Sequence, residues 1–269
     1  MSATPIPRTL AQSLFGDMDV SVIAHRPSGR MPVTTRLVRS SSMGAILEEV
    51  LQKIDEGNQC YVVCPAIEKN EEMPMRNVND IYQGMCSLLG KRYRIGLLHG
   101  KMSGEEKNEM MERFARGDLD ILVSTTVIEV GIDVKKANLM VIYDAHRFGL
   151  STIHQLRGRV GRGSQPGFCY LLTPTKDEEA LQRLKMLETI SDGFEISRYD
   201  LSLRGPGDLL GTRQSGIPGF VLGNVIMDEK MMEAAREDAA YALQHLEEQP
   251  YRHLQPIIAQ DVKKSAYFD

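Results

Sequence analysis

The chain has 269 residues, of which 42% are hydrophobic and 25% charged, and its formal net charge is −4. This balance excludes a disordered polar chain and a globally basic nucleic-acid binder, so any contact with nucleic acid must come from local basic patches. No run of eighteen apolar residues and no charged-then-apolar leader occurs, which leads us to expect no membrane partner and a cytoplasmic location.

Ser2, Ala3 and Thr4 ahead of Pro5 and Pro7 make a tight turn, with Arg8 and Thr9 opening a helix toward Gly16. Residues 18–24 read as a short strand, and 25–32, with Pro27, Gly29 and Pro32, as a linker. From Val33 the alternation is regular: strand 33–38, helix 43–56, strand 59–64, a polar insertion 68–75, then a helix running to about residue 91. Strand 94–98, helix 104–116, strand 120–124 and strands 139–143 and 168–172 follow, with Ser103 as N-cap and Gly117 as stop of the helix between them. Such near-continuous apolar strands alternating with amphipathic helices predict an α/β fold, a parallel sheet with helices on both faces. Its site is expected at the carboxyl ends of the strands. Cys60, Cys64, Cys86 and Cys169 form no CxxC pair and read as core thiols of a reducing compartment, with no metal site among them.

After Pro174 the pattern changes. Residues 176–191 form an amphipathic helix with Leu181, Leu184, Leu187 and Ile190 at core spacing, and Asp177, Glu178 and Glu179 make its charged first turn. Asp192, Gly193 and Phe194 read as a stop and turn, and residues 200–216, dense in glycine and proline around Leu209 and Leu210, as an ordered loop. Residues 228–248 are an acidic helix expected to pack by Met232, Ala235, Ala239 and Leu243, and a docking tail around Tyr267 and Phe268 closes the chain.

The chemistry concentrates in Gln155-Leu156-Arg157-Gly158-Arg159-Val160-Gly161-Arg162-Gly163. On helical spacing Gln155, Arg159 and Arg162 share one face, while Arg157 points elsewhere. Two rigid guanidinium forks on one face match the oxygens of a polyphosphate. Gly158 and Gly161 would each cost about 1 kcal/mol inside a helix, which implies that the backbone is needed close to something there. His99, Gly100 and Lys101 at one strand end suit a phosphate-backbone contact, as do Thr125 and Thr126 at another. Gly131 permits close backbone approach, and Asp133 either accepts from a ribose hydroxyl or holds an arginine. Arg26, Arg30, Arg36 and Arg39 form one candidate basic patch, and Arg147, Arg157, Arg159 and Arg162 another.

Gln155-x-x-Gly158-Arg159-x-x-Arg162 resembles motif VI of the superfamily-two helicases and translocases. The resemblance implies that Arg162 is the principal arginine finger toward a nucleotide γ-phosphate, Arg159 its companion, and Gln155, Gly131 and Asp133 further nucleotide-side positions. Residues 2–9 are similar to motif III, 63–66 to motif IV, and 121–126 with Glu129, Gly131 and Asp133 to motif V, while Arg147-Phe148-Gly149 is placed at the domain interface. No GxxxxGK[ST] occurs, so ATP and Mg2+ are expected to be held mainly by a preceding first RecA-like domain, in a longer protein. Residues 200–216 resemble the translocation motif of the RecG family of fork-reversal translocases, in which Arg183, Arg204 and Gln214 hold the coupling positions. Gly205-Pro206-Gly207, Gly211-Thr212-Arg213-Gln214 and His154 follow that family and not the looser form in the transcription-repair coupling factor, while His146 and Thr152 depart from it outside the motifs.

The resemblance implies the end of one RecA-like domain in 1–25, a second RecA-like domain in 26–175, and a mostly helical translocation domain in 176–269. It further implies a monomeric bacterial DNA helicase associated with the nucleoid. Branched duplex DNA, the first motor domain and a wedge domain would be its partners, and the present chain alone would be inactive. A duplex-DNA translocase of the coupling-factor type and a non-hydrolysing DNA-binding module are the competing expectations.

Overall fold

The computed structural model describes residues 31–39, 42–65, 77–126, 133–163, 165–204 and 229–259. The expectations for residues 1–30 and 68–75, for Gly131 and Gln214, and for the closing tail lie outside them. The described residues fall into two compact units that meet in the chain at Asp200 and Leu201.

In the first unit six strands form one parallel sheet: β1 (Val33–Arg39), β2 (Gln59–Val63), β3 (Ile95–Leu98), β4 (Ile121–Ser124), β5 (Ala137–Ile142) and β6 (Gly167–Thr173), in the order β1-β6-β5-β2-β4-β3. Every residue of β2, β4 and β5 is buried, the expected state of central strands covered on both faces. Alternation divides them between two cores. Tyr61 and Val63 of β2 enter one, and Cys60, Val62 and Cys64 the other. Among the buried cysteines, Cys60 and Cys169 have their thiols pushed up by desolvation, Cys169 to about 12, which makes them inert core groups.

The helices are α1 (Met43–Asp55), α2 (Val78–Leu89), α3 (Gly104–Arg116), α4 (Leu150–Arg157), α5 (Glu178–Thr189) and α6 (Gly193–Arg204). Local chemistry fixes α3 at both ends. Ser103 Oγ accepts from the Glu106 N–H, Glu106 accepts in return from the Ser103 N–H at 2.7 Å, and Gly117 stops the helix at φ +85°. Met111 and Phe114 of α3 are buried, and the Phe114 ring lies 4.8 Å from that of Tyr61.

The helix after Pro174 belongs to the same core. Leu184 and Leu187 of α5 are buried with Ile153 and Leu156 of α4, and Asp177 caps α5 by accepting from the Glu179 N–H. Glu188 at its far end accepts the Leu37 N–H at 2.8 Å, which occupies a donor of the β1 edge. Asp192 does more than stop a helix. Its Oδ1 accepts from the Phe194 and Glu195 N–H groups and so starts α6 at once. Residues 200–204 are therefore helical and not loop, with Arg204 as the last helical residue, and Ile196 earlier in the helix is fully buried.

In the second unit α7 (Glu229–Gln244) is the main element. The expected packing face is not the observed one: Ala235, Ala239 and Leu243 are exposed, whereas Ala242 is buried. Alanine buries too little apolar area for a periodic set of them to dictate a face. Tyr241 stacks on His245 at 4.0 Å instead.

Candidate nucleotide and nucleic-acid site

Because all six strands point the same way, the segments that follow them collect along one edge. Backbone bonds hold them in line: Cys64 N–H to Ser124 O at 2.8 Å, Tyr143 N–H to Val63 O at 2.8 Å, and Thr125 N–H to Leu98 O at 3.3 Å. Thr125 is buried and Thr126 half-buried at this edge, and Ser124 turns its hydroxyl onto Thr125 O. His99 lies beside them with a buried Nδ1 that has no hydrogen-bond partner among the described residues. Gly100 and Lys101 next to it are exposed, and Lys107 closes the turn by donating to Gly100 O at 2.9 Å. A buried ring nitrogen left without a partner is costly unless something outside the described residues supplies one.

The arginine stretch departs from the expected single helical face. Helix α4 stops at Arg157, capped by Gly158, whose N–H bonds His154 O. Arg159 and Arg162 stand on the loop beyond it. Gly161 sets the break with φ +69°, and a Cβ there would lie 3.2 Å from Val33 Cγ2 and 3.4 Å from Met31 O. A Cβ on Gly163 would stand 2.5 Å from the Lys135 carbonyl oxygen. The glycines serve close backbone approach, as the sequence suggested, but to the neighbouring chain segments of this unit.

Arg162 folds back on this loop. Its Nε donates to Gly158 O at 3.0 Å and its Nη1 lies 3.5 Å from Asp133 Oδ1. Of the two roles open to Asp133, the contact observed is with the arginine. The side chains are 27% and 55% exposed, so the pair is worth about 1 kcal/mol or less and is easily released. Arg159 and Gln155 are half-buried nearby. Beneath them Tyr61, buried in β2, has its phenol pushed up to about 12 by desolvation, against the pull of Arg159 and Arg162. Sequence reasoning missed Tyr61, whose one signal was a polar-tipped aromatic at an inward strand position. It also missed Asp144, buried after β5 at φ +49°, a conformation that Asp tolerates better than most residues.

Arg157 does not belong to the surface patch in which the sequence placed it. It is 6% exposed, and its Nη1 donates to Leu187 O at 2.7 Å and Ile190 O at 3.1 Å. Arg183 makes the converse contact, its Nη2 donating to His146 O at 2.6 Å. His146 Nδ1 pairs with Thr173 Oγ1 at 3.0 Å, and burial, with Arg147 and Arg183 nearby, holds the imidazole below its ordinary range despite Asp144 and Asp177. Phe148 is a core residue of this unit, while Arg147 is exposed. In the other patch Arg36 is bound to Glu49 at 2.9 Å, and Arg39 is exposed.

Among the described residues no group of three or more His, Cys, Asp or Glu could hold a metal ion. The arginine loop offers donors for phosphate oxygens. No helix among the described residues is long and apolar enough to cross a membrane.

The six-stranded parallel sheet carries this arginine loop at the amino ends of β1, β5 and β6, not at the expected carboxyl edge, where the segments after β3 and β4 lie. The fold is that of a RecA-like helicase domain, and residues 42–164 match the family described as helicase conserved C-terminal domain. Residues 190–265 match a second one, ATP-dependent DNA helicase RecG, domain 3, C-terminal. Over 266 residues, 98% of its length, the chain is 46% identical to the ATP-dependent DNA helicase RecG of Staphylococcus epidermidis, and over 265 residues it is 45% identical to that of Staphylococcus aureus. It spans 39% and 38% of the length of these relatives. A solved structure of RecG bound to a three-way DNA junction superposes with a TM-score of 0.68 at 44% identity, covering 87% of this chain and 30% of that one. The chain belongs to the RecG family and corresponds to the C-terminal part of its members.

Proposed function

We propose that the chain is the second motor half of an ATP-dependent DNA helicase or translocase that acts on branched DNA, such as replication forks and Holliday junctions, in repair and recombination. The observation that carries this reading is Arg162, on a glycine-broken loop at the amino ends of β1, β5 and β6, held by Gly158 O at 3.0 Å and by a weak ion pair to Asp133 at 3.5 Å. Released from these contacts, Arg162 reaches the terminal phosphate of ATP, with Arg159 as its companion and Gln155, Gly131 and Asp133 as further nucleotide-side residues. In related phosphoryl-transfer sites such a finger contributes about 10³-fold or more. His99, Gly100, Lys101, Thr125 and Thr126 hold the DNA backbone, a set that positions without reading sequence. Arg183, Arg204 and Gln214 couple the motor to DNA movement.

Mg2+ and most of the nucleotide belong to a first RecA-like domain, since the 269 residues contain no phosphate loop and their described part no metal-binding group. The chain alone is then expected to hydrolyse nothing. Branched DNA as partner is supported by the relative whose structure holds a three-way DNA junction. A monomer working in the bacterial cytoplasm at the nucleoid, with a wedge domain elsewhere in the same protein, completes the reading. The test is ATP turnover by the complete protein on forked DNA, linear duplex and RNA at one salt concentration, because phosphate-driven affinity falls steeply with salt. Stimulation and unwinding with forks support the proposal. Stimulation by linear duplex without unwinding favours a coupling-factor translocase, and no turnover leaves a DNA-binding module.

A further inference from the structure

Arg157 is a buried cation that the nucleotide and DNA contacts leave without a task. It ends α4, and its carbonyl accepts the Val160 N–H at 3.3 Å, so its backbone is joined to the loop that carries Arg159 and Arg162. Its guanidinium reaches the opposite way, with Nη1 bonded at once to Leu187 O at 2.7 Å and Ile190 O at 3.1 Å. Leu187 lies in the last turn of α5 and Ile190 caps it, just where the chain bends into α6. Helix-end carbonyls of this kind lack intrahelical partners, and a cation there also meets the negative end of the helix dipole.

Apolar packing alone would not fix this joint. Leu156, Leu184 and Leu187 share a core, but apolar burial is non-directional and lets one helix slide along another. Two hydrogen bonds from one planar nitrogen, Nη1, set the register of α5 against α4, and a lysine amine on its flexible stem does not hold those directions fixed. Arg183 locks the same two elements from the other side, through His146 O just ahead of α4.

Resting on the reading of the chain as a second motor half, we propose that Arg157 is a positioning residue of that motor: it makes the arginine loop and the α5–α6 hairpin move as one body. Displacement of the loop at the nucleotide is thereby delivered to the hairpin.

The experiment compares Arg157→Lys and Arg157→Gln with the unaltered complete protein. It reads ATP turnover on forked DNA, base pairs separated per ATP, and thermal unfolding. Arg157→Lys keeps a positive charge against the same carbonyls and so guards against a variant that merely fails to fold. The expected result is turnover within about twofold of the unaltered protein and a roughly tenfold drop in base pairs separated per ATP. An unchanged ratio would overturn the proposal. So would a parallel loss of turnover, separation and thermal stability, which would make Arg157 only a support of the fold. If the unaltered protein itself shows no turnover on forks, the motor reading fails, and that failure is seen before any variant is compared.

Discussion

Arg162 and Asp133 meet at 3.5 Å, at a distance and exposure that make their ion pair a light restraint and not an anchor. Asp133→Asn is therefore expected to change folding stability by less than about 1 kcal/mol, measured by urea unfolding. The same variant separates the two roles that the sequence left open. If Asp133 holds the arginine, turnover falls with ATP and 2′-deoxy-ATP alike, and their ratio stays that of the unaltered protein. A ratio that changes in Asp133→Asn would assign the carboxylate to the ribose.

Gly161 combines a left-handed φ of +69° with contacts at 3.2–3.4 Å around its missing Cβ. Gly161→Ala is expected to destabilise the fold by about 1–2 kcal/mol from backbone strain alone, with crowding against Val33 in addition. Gly84 is the control. It lies inside α2 with nothing within 4 Å of a would-be Cβ, so Gly84→Ala is expected to stabilise by roughly 0.5–1 kcal/mol. Equal effects of the two changes in thermal unfolding would contradict the geometry.

His146 gives the fold a pH dependence of predictable sign. Its pKa is lowered from 6.5 by burial first, with Arg147 and Arg183 adding to the shift and Asp144 and Asp177 opposing it. A histidine whose folded pKa lies below its unfolded one leaves the unfolded chain binding more protons in between, so stability rises with pH across that window. On acidification from neutrality, stability is lost from about pH 6.5 downward, until the folded-state pKa is passed. His146→Asn is expected to flatten this part of a stability-versus-pH curve, and an unaltered slope would remove His146 as its source.

Much of the motor fold was legible because its signals are local. Ser103, Glu106 and Gly117 fix α3 through contacts within a turn of themselves, and the apolar runs of β2, β4 and β5 announce strands covered on both faces. The arginine loop was legible in composition but not in shape. Periodicity carried α4 on to Arg162, whereas the helix ends at Gly158 and the chain turns left-handed at Gly161, whose close approach to Val33, far away in sequence, leaves no room for a side chain. Burial of Arg157 was equally hidden, since its partners at Leu187 and Ile190 lie 30 and 33 residues downstream. Asp192 read as a stop because a helix end and the next helix's N-cap use the same short polar residues.

The first measurement is of Arg162→Ala in the complete protein, comparing nucleotide affinity with DNA-stimulated ATP turnover. A residue that meets charge only as it develops on the transferring phosphoryl group leaves binding nearly unchanged when removed, while turnover falls by about 10³-fold or more. That split is the expected result. Turnover at the level of the unaltered protein would mean that Arg162 is no finger and that the arginine loop ahead of β6 serves another purpose.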